Sequence, residues 1–377
     1  MKVVVLHNLP AGGARRRLAQ QLERLDVEVA EICLGTAKPI TADAQVVGLT
    51  RRAPEAHPAL RPPLRYADLA ALRRAWHRAG ALAASAGADV IYANPCKVLQ
   101  APAGLLAGGL PPAVYFCDEP RRVDYEPSAQ AMRNPRTRLL YAPLYRTERA
   151  LDRRAVARAA HILTNSRYTA RAIAAAYGRD AEAVPMGVPE RLLAGDGSAR
   201  APGSPRHLLT VGALIPGKGH ELVIRAAAGG PWPVVLVTPR PDPSEEARLR
   251  GVAAAVGVTL EVRVGVSDDE LRETYNSAFA TLYLARAEPL GLVSLEAQAC
   301  GSPVVVADEG GLPETVRDGE SGFVVAREPA AAAAALTRLG EGDRRAVMGA
   351  AARAHARAWT WKASAERVQA ALEDVAR

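Results

Sequence analysis

F-A-T-L-Y-L-A-R-A-E-P-L-G-L-V-S-L-E, residues 279–296, reads as a buried strand, a tight loop and the start of a helix. The strand covers 279–284, Pro289 and Gly291 mark the loop, and an apolar pattern then continues through Glu296. This reading puts Glu288 in the loop and Glu296 roughly one and a half turns into the helix. Such a loop can offer unpaired backbone N–H groups to an anion, which suits a phosphate-bearing ligand. By itself the stretch fits any strand-to-helix crossover, so its weight comes from its surroundings.

Short apolar runs alternate with longer Ala/Leu/Arg segments along all 377 residues, the signature of α/β units over parallel sheets. In the first half the strand candidates are 2–6, 89–93, 113–117 and 161–164, with another near 181–184. A helix over 14–25 sets Ala14, Leu18, Leu22 and Leu25 on one face and turns Arg15, Arg16, Arg17 and Glu23 away from it. Residues 186–206, rich in glycine, proline and polar groups, read as a connection between domains. Strand-like runs resume at 207–211, 234–238, 260–264, 279–284, 303–307 and 322–326. The expected organisation is therefore a first domain over 1–185, a linker over 186–206 and a second domain over 207–355. The tail over 356–377, led by Trp359 and Trp361, is expected to pack back on the first domain through Ala363, Val368 and Leu372.

Length alone favours about two domains. With 49% apolar residues but only 5% aromatics, the core is built mainly from Ala, Val and Leu. The formal charge of +8 favours anionic partners without specifying a fold. No zinc spacing, basic coiled coil or aromatic-interleaved stripe accompanies it, so nucleic acid is not an expected partner. Cys33, Cys96, Cys117 and Cys300 form no C-x-x-C pair and fit a reducing compartment. The opening M-K-V-V-V-L-H-N lacks a signal-peptide pattern, and no stretch reaches the about 18 apolar residues of a membrane span. A cytoplasmic location is expected, with peripheral contact at the cytoplasmic membrane face left open.

Gly12 and Gly13 follow the first strand, where they permit either close ligand approach or simply a tight turn. There is no G-x-G-x-x-G and no G-x-x-x-x-G-K-[ST], which argues against a dinucleotide oxidoreductase and a P-loop enzyme. In V-G-A-L-I-P-G-K-G-H, residues 211–220, Lys218 stands just beyond a strand between Gly217 and Gly219. Taken alone it reads as a solvated lysine; beside the Glu288 loop at the same sheet edge, it reads as a diphosphate contact. Glu288 can accept hydrogen bonds from sugar hydroxyls, and Glu296 can bind a ribose in the same way. The turn-dense segment 308–322, with Gly310, Gly311, Glu314, Asp318, Gly319 and Gly322, is placed to close one side of the pocket. Ligands of open α/β sheets bind beyond the carboxyl ends of the strands, and two such domains facing each other make a cleft with two half-sites.

These motifs resemble glycosyltransferase family 4, retaining enzymes of the GT-B class with two Rossmann-like doubly wound domains facing a central cleft. The resemblance rests on Gly12–Gly13, T-N-S-R-Y-T at 164–169, V-G-A-L-I-P-G-K-G, the Glu288–Glu296 segment, G-S-P-V-V-V at 301–306 and G-G-L-P-E at 310–314. It is strong over 211–322 and thinner before that. It implies a nucleotide-sugar donor, UDP-, GDP- or another, with Lys218 on its diphosphate, Glu288 on its sugar and Glu296 on its ribose. Leu290, Gly291 and Leu292 would line the sugar–phosphate pocket through their backbone, near Gly212, and the base would be read around Thr238 to Arg240 and Val266. Glu288 is then an orienting and electrostatic group rather than a covalent nucleophile. The implied reaction transfers a sugar, with retention, to a hydroxyl group of a small-molecule or lipid-linked acceptor, with no cofactor or metal.

Two departures stand out. Ala213 replaces the family arginine that would offer its fork of donors to the diphosphate, and Asp118 occupies a position where the family commonly has histidine. Asp118 is expected either near the reaction centre or paired with the adjacent arginines. His7 is a candidate for the cleft lining, while the histidines together show no ligand-like spacing. The basic residues between Arg121 and Arg154 read as a solvated helix face or as an anion-binding patch. The alternative functions are a non-catalytic nucleotide- or carbohydrate-binding relative and a nucleotide-sugar epimerase of the same fold.

Overall fold

The computed structural model describes residues 1–54, 57, 60–126, 139–193 and 207–377. Within it the chain forms two compact units, Met1–Pro185 with Trp361–Arg377, and Met186–Thr360. The connecting segment over 186–206 lies outside the described residues from 194 onward, as does 127–138 of the basic stretch.

In the first unit seven strands form one sheet: β1 (Lys2–Asn8), β2 (Glu28–Leu34), β3 (Gln45–Val47), β4 (Val90–Cys96), β5 (Ala113–Phe116), β6 (His161–Thr164) and β7 (Glu182–Ala183). Their order is β3-β2-β1-β4-β5-β6-β7, with every pairing parallel. The central strands β1 and β4 are buried almost throughout, which is why their sequences are continuous apolar runs rather than alternating ones. The longer helices are α1 (Gly13–Leu22), α2 (Arg61–Ser85), α3 (Ala142–Ala157) and α4 (Arg167–Tyr177). The order reverses between β1 and β4, so right-handed crossovers put helices on both faces and leave a crevice at the strands' carboxyl ends.

The second unit repeats this plan with β8 (His207–Val211), β9 (Val234–Thr238), β10 (Leu260–Val264), β11 (Ala278–Tyr283), β12 (Val304–Ala307) and β13 (Gly322–Val325). They form a parallel six-stranded sheet in the order β10-β9-β8-β11-β12-β13, switching direction between β8 and β11. Its longer helices are α5 (His220–Ala226), α6 (Pro243–Ala255), α7 (Asp268–Ser277), α8 (Leu292–Ala299), α9 (Pro329–Leu339) and α10 (Arg344–Ala356). Ser267 closes a capping box with Glu270 at the start of α7, and Asp242 caps α6 through the Glu245 N–H.

The chain ends in α11 (Trp361–Ala376), which lies in the first unit with Trp361, Ala365, Val368 and Leu372 buried and Ala363 half-buried. Gln21 of α1 donates to the Ser364 hydroxyl at 3.0 Å, and the Asp26 N–H donates to Gln369 at 3.0 Å. Trp359 stays in the second unit, where its carbonyl accepts the Val188 N–H and its indole N–H donates to His355. Among the described residues no helix is long and apolar enough to cross a membrane.

Two expectations are corrected here. Arg17 does not face away from the core: it is 1% exposed, because residue 17 shares its face of α1 with Leu18, Gln21 and Leu22. His7 lies within β1, fully buried, rather than beyond the strand at a cleft surface. Its ring N–H donates to Glu31 of β2 at 2.8 Å.

Candidate active site

The stretch 279–296 becomes β11, an irregular loop and α8. Ala287 sits at φ 47, unusual for a residue with a side chain, and its N–H donates to the Glu309 carboxylate at 3.0 Å. The Gly311 N–H donates to the Glu288 carbonyl at 2.8 Å, and a Cβ on Gly311 would come within 2.2 Å of the Pro289 oxygen. Segment 308–314 therefore forms the seat of the Glu288 loop, and only a bare backbone fits at that contact. Gly291 is the N-cap of α8, and no side chain caps this end.

A second loop follows β8. The turn Pro216–Lys218 is followed by Gly219 at φ 76, where a Cβ would meet the Leu284 oxygen at 2.1 Å. The Arg286 N–H donates to the Gly217 carbonyl at 2.8 Å, so the loops after β8 and β11 lie edge to edge at the switch point of the sheet. This brings Lys218 to Glu288. The ammonium lies 2.8 Å from the carboxylate and 2.9 Å from the Tyr283 hydroxyl, with the two charged side chains 24% and 17% exposed.

Ala213 contributes its carbonyl, which accepts from His220 Nε2 at 3.0 Å, while the Thr210 hydroxyl lies 3.0 Å from Nδ1. Burial is the main cause that pushes the His220 pKa down to about 4, and the Lys218 charge adds to it. The imidazole is accordingly neutral, with its proton on Nε2 and the Thr210 hydroxyl donating to Nδ1. Gly212 directly follows β8, its N–H donating to the Val237 carbonyl. Glu296 sits on α8 with 5% exposure and accepts from the Tyr275 hydroxyl at 3.3 Å. Leu290 is buried, and Leu292 begins the helix. Thr238 is buried and donates to the Arg240 carbonyl, whereas Val266 is half-buried in the turn before α7.

In the first unit Gly12 is the N-cap of α1 and Gly13 its first residue. Asp118 lies two residues beyond β5, and its partner is distant in sequence. Arg17 grips it in a fork, Nε to Oδ1 at 3.0 Å and Nη2 to Oδ2 at 2.9 Å. The remaining guanidinium donors reach Asn94, Gln21 and Tyr92, and the plane lies 3.6 Å over the Phe116 ring. Burial would lower the Arg17 pKa, but the Asp118 carboxylate and Tyr92 hydroxyl outweigh it and the net direction is upward. The adjacent arginines are engaged elsewhere, Arg121 with Asp124 and Glu148, and Arg122 with Glu119 and Glu126. Of the two alternatives for Asp118, pairing with the adjacent arginines is corrected: its partner is the buried Arg17.

The fold also assembles a cluster that sequence spacing does not show. His7, Glu31 and Cys33, all buried, bring their ligand-type atoms within 4.8 Å of one another. Glu31 already accepts from His7 and from the Ile40 and Thr41 N–H groups. Burial works against its ionisation, yet these hydrogen bonds hold its pKa to about 2, so Glu31 and His7 form a satisfied hydrogen-bond network.

The family described as Glycosyl transferases group 1 matches residues 196–355, and the one described as Glycosyltransferase Family 4 matches residues 15–191. The chain belongs to glycosyltransferase family 4. Among curated relatives of this family 4 chain is the D-inositol 3-phosphate glycosyltransferase of Acidothermus cellulolyticus. It is 36% identical over 242 residues, 58% of this chain and 54% of that protein. The protein so named from Thermomonospora curvata is 36% identical over 247 residues, 58% and 57% of the two chains. The chain thus spans little more than half the length of the curated relatives it matches. Sucrose-phosphate synthase from Thermosynechococcus elongatus superposes with a TM-score of 0.75 at 20% identity, covering 99% of this chain and 98% of that one. The Anabaena protein HepE, solved in complex with UDP and glucose, gives 0.67 at 19% identity with coverage of 99% and 98%. WaaG, a glycosyltransferase involved in lipopolysaccharide biosynthesis, gives 0.69 at 17% identity over 99% of each chain. These likenesses establish the GT-B fold.

The sequence reading singled out Lys218 and Glu288, and the fold joins them. It missed Tyr283, Tyr275, Glu309 and Arg17. Arg17 had a signal: with Gln21 it stands at i, i+4 on the face that carries Leu18 and Leu22. Glu309 had none, since its role depends on the conformation of Ala287.

Proposed function

We propose that this chain is a retaining glycosyltransferase that moves a sugar from a nucleotide-sugar donor to a hydroxyl group of a small-molecule or lipid-linked acceptor. The observation that carries this reading is the Lys218–Glu288 pair at the carboxyl ends of β8 and β11, beside the uncapped N-terminus of α8. A cation, a carboxylate and backbone donors within one crevice match a ligand that carries a diphosphate next to a polyol. Lys218 meets the diphosphate, Glu288 accepts from the sugar hydroxyls, and the backbone from Leu290 to Leu292 surrounds the sugar–phosphate link. Glu296, oriented by Tyr275, takes the ribose, and the base lies toward Thr238 and Val266.

The first unit selects the acceptor, with Asp118 accepting a hydrogen bond from a substrate hydroxyl. The bond from the anomeric carbon to the donor phosphate oxygen breaks, and a glycosidic bond to the acceptor oxygen forms on the same face. The acceptor proton passes to the leaving phosphate. The names of the curated relatives support sugar transfer, and UDP is the first nucleotide to try because HepE was solved with it. Titration calorimetry with UDP, GDP, ADP and dTDP on wild type and Lys218→Ala tests the donor site. Binding of one nucleotide, weakened by the substitution, is the expected result, and failure of all four to bind wild type would sink the reading. The anomeric configuration of the product, read by NMR, decides retention.

A further inference from the structure

Besides Lys218, the segments that follow β11 and β13 carry Arg286 and Arg327. Arg286 follows β11, its backbone fixed against Gly217, while its side chain is exposed and makes no hydrogen bond or ion pair among the described residues. Arg327 follows β13 and reaches back to the end of β11, where its Nε donates to the Leu284 carbonyl at 2.9 Å. It is half-buried, and its one carboxylate partner among the described residues, Glu309, lies 3.7 Å away while also holding the Ala287 N–H. Burial, and next the nearby Arg286 charge, pull the Arg327 pKa down, with Glu309 opposing them.

Lys218 is paired with Glu288 and Arg327 with Glu309, whereas the Arg286 side chain has no hydrogen bond or ion pair among the described residues. Residue 213, on the neighbouring loop, supplies only a carbonyl already taken by His220. Like charges are held together at a cost, which a bound polyanion removes.

We infer that Arg286 and Arg327 are donor-binding residues that meet the diphosphate of the nucleotide sugar from the β11 and β13 side, opposite the loop carrying Lys218. This rests on the proposed donor site and adds residues to it. Arg286 moves onto the phosphates because none of the described residues holds its side chain, and Arg327 fixes the near edge from its anchor on Leu284. A guanidinium fork matches phosphate oxygens in pairs, which the ammonium of Lys218 does not.

The experiment is calorimetric titration of the tightest-binding nucleoside diphosphate among UDP, GDP, ADP and dTDP, and of its monophosphate, at low and high salt. It compares wild type, Arg286→Ala, Arg327→Gln, the double variant and Lys218→Ala. Arg286→Ala is expected to weaken the diphosphate about tenfold, to affect the monophosphate less and to flatten the salt dependence. Its melting temperature should stay at the wild-type value, since the exposed side chain makes no hydrogen bond or ion pair among the described residues. Should the double variant misfold, Arg286→Ala alone carries the test. Diphosphate affinity within about twofold of wild type in Arg286→Ala and Arg327→Gln, with Lys218→Ala still weakened, overturns the inference and leaves the donor site standing. Absence of nucleotide binding to wild type overturns both.

Discussion

Lys218 and Glu288, seventy residues apart, meet at 2.8 Å with the Tyr283 hydroxyl completing the contact at 2.9 Å. The three side chains come from the loop after β8, the loop after β11 and the last residue of β11, so the pair exists only because β8 and β11 are neighbours in the sheet. In the free protein each charge satisfies the other. In the proposed reading a donor parts them, phosphate drawing the ammonium and hydroxyls drawing the carboxylate.

Glu288→Gln separates the two roles. The amide keeps the size of the side chain and one acceptor oxygen, but it releases Lys218 from its ion pair. Nucleoside diphosphate affinity should hold or rise, because Lys218 no longer has to leave a carboxylate. Sugar transfer should fall on the order of 100-fold in kcat, since the charge that orients the donor sugar is gone. Calorimetry with the nucleotide and product release from the matching nucleotide sugar measure the two effects. A parallel loss of both would make Glu288 a structural brace.

In the Arg17–Asp118 fork the guanidinium is buried with every donor occupied while the carboxylate is 17% exposed, and removing the cation from the buried side is costly. Arg17→Met leaves Asp118, Asn94 and Gln21 without their cation and should destabilise the first unit by about 3–5 kcal/mol. Arg17→Met with Asp118→Asn removes both charges and should recover most of that loss. Urea unfolding of the two singles and the double gives the coupling energy directly. Strict additivity would mean that the fork contributes nothing beyond its separate contacts.

Much of the architecture was legible because buried parallel strands are written as apolar runs. The strands 207–211 and 234–238, buried throughout, fall at the residues the apolar pattern marks, and 260–264, at the sheet edge, alternates instead. The misses were strands whose sequences look polar. E-V-A-E-I-C-L of β2 carries Glu31, which is tolerated inside only because His7 and two backbone N–H groups receive it. The three residues of β3 are too few for any period to show. At the site, residue types and spacing marked Lys218 and Glu288, whereas Arg17 was obscured by the run of three arginines that contains it. The seating of the Glu288 loop on Gly311 and Glu309 could not be read at all, because it depends on which backbones touch.

Two buried groups should give opposite pH slopes. His220 is held down to about 4, so the unfolded chain binds its proton more readily, and stability falls as pH drops from about 6.5 to about 4. Asp152, buried with Tyr177 and the Ala101 N–H as its donors, is pushed up to about 6 by that burial. It binds its proton more readily when folded, so the stability it adds is full below about 4 and is lost as pH rises through about 6. Each effect is on the order of 3 kcal/mol. Urea midpoints between pH 4 and 7 for wild type, His220→Gln and Asp152→Asn separate them. Loss of the acid-side slope in His220→Gln and of the opposite slope in Asp152→Asn is expected; unchanged slopes in both would contradict the assignment.

Gly311 and Gly219 test whether the seat of the Glu288 loop matters for ligand binding as well as for folding. A methyl on Gly311 would press 2.2 Å from the Pro289 oxygen, and one on Gly219 would press 2.1 Å from the Leu284 oxygen at a φ of 76. In both cases the obstacle is backbone, so the loop must move. Gly311→Ala should destabilise the second unit by about 1–3 kcal/mol, comparable to overpacking elsewhere. Gly219→Ala should cost at least as much, since left-handed strain adds to the clash. The displaced loop carries Glu288 away from Lys218, so nucleotide affinity should fall even at temperatures where the variants stay folded. Gly217→Ala is the control, because a Cβ there meets nothing within 4 Å. Calorimetry at 15 °C alongside melting curves reads both quantities. Retained affinity in a folded Gly311→Ala variant would show that the donor site tolerates movement of this loop.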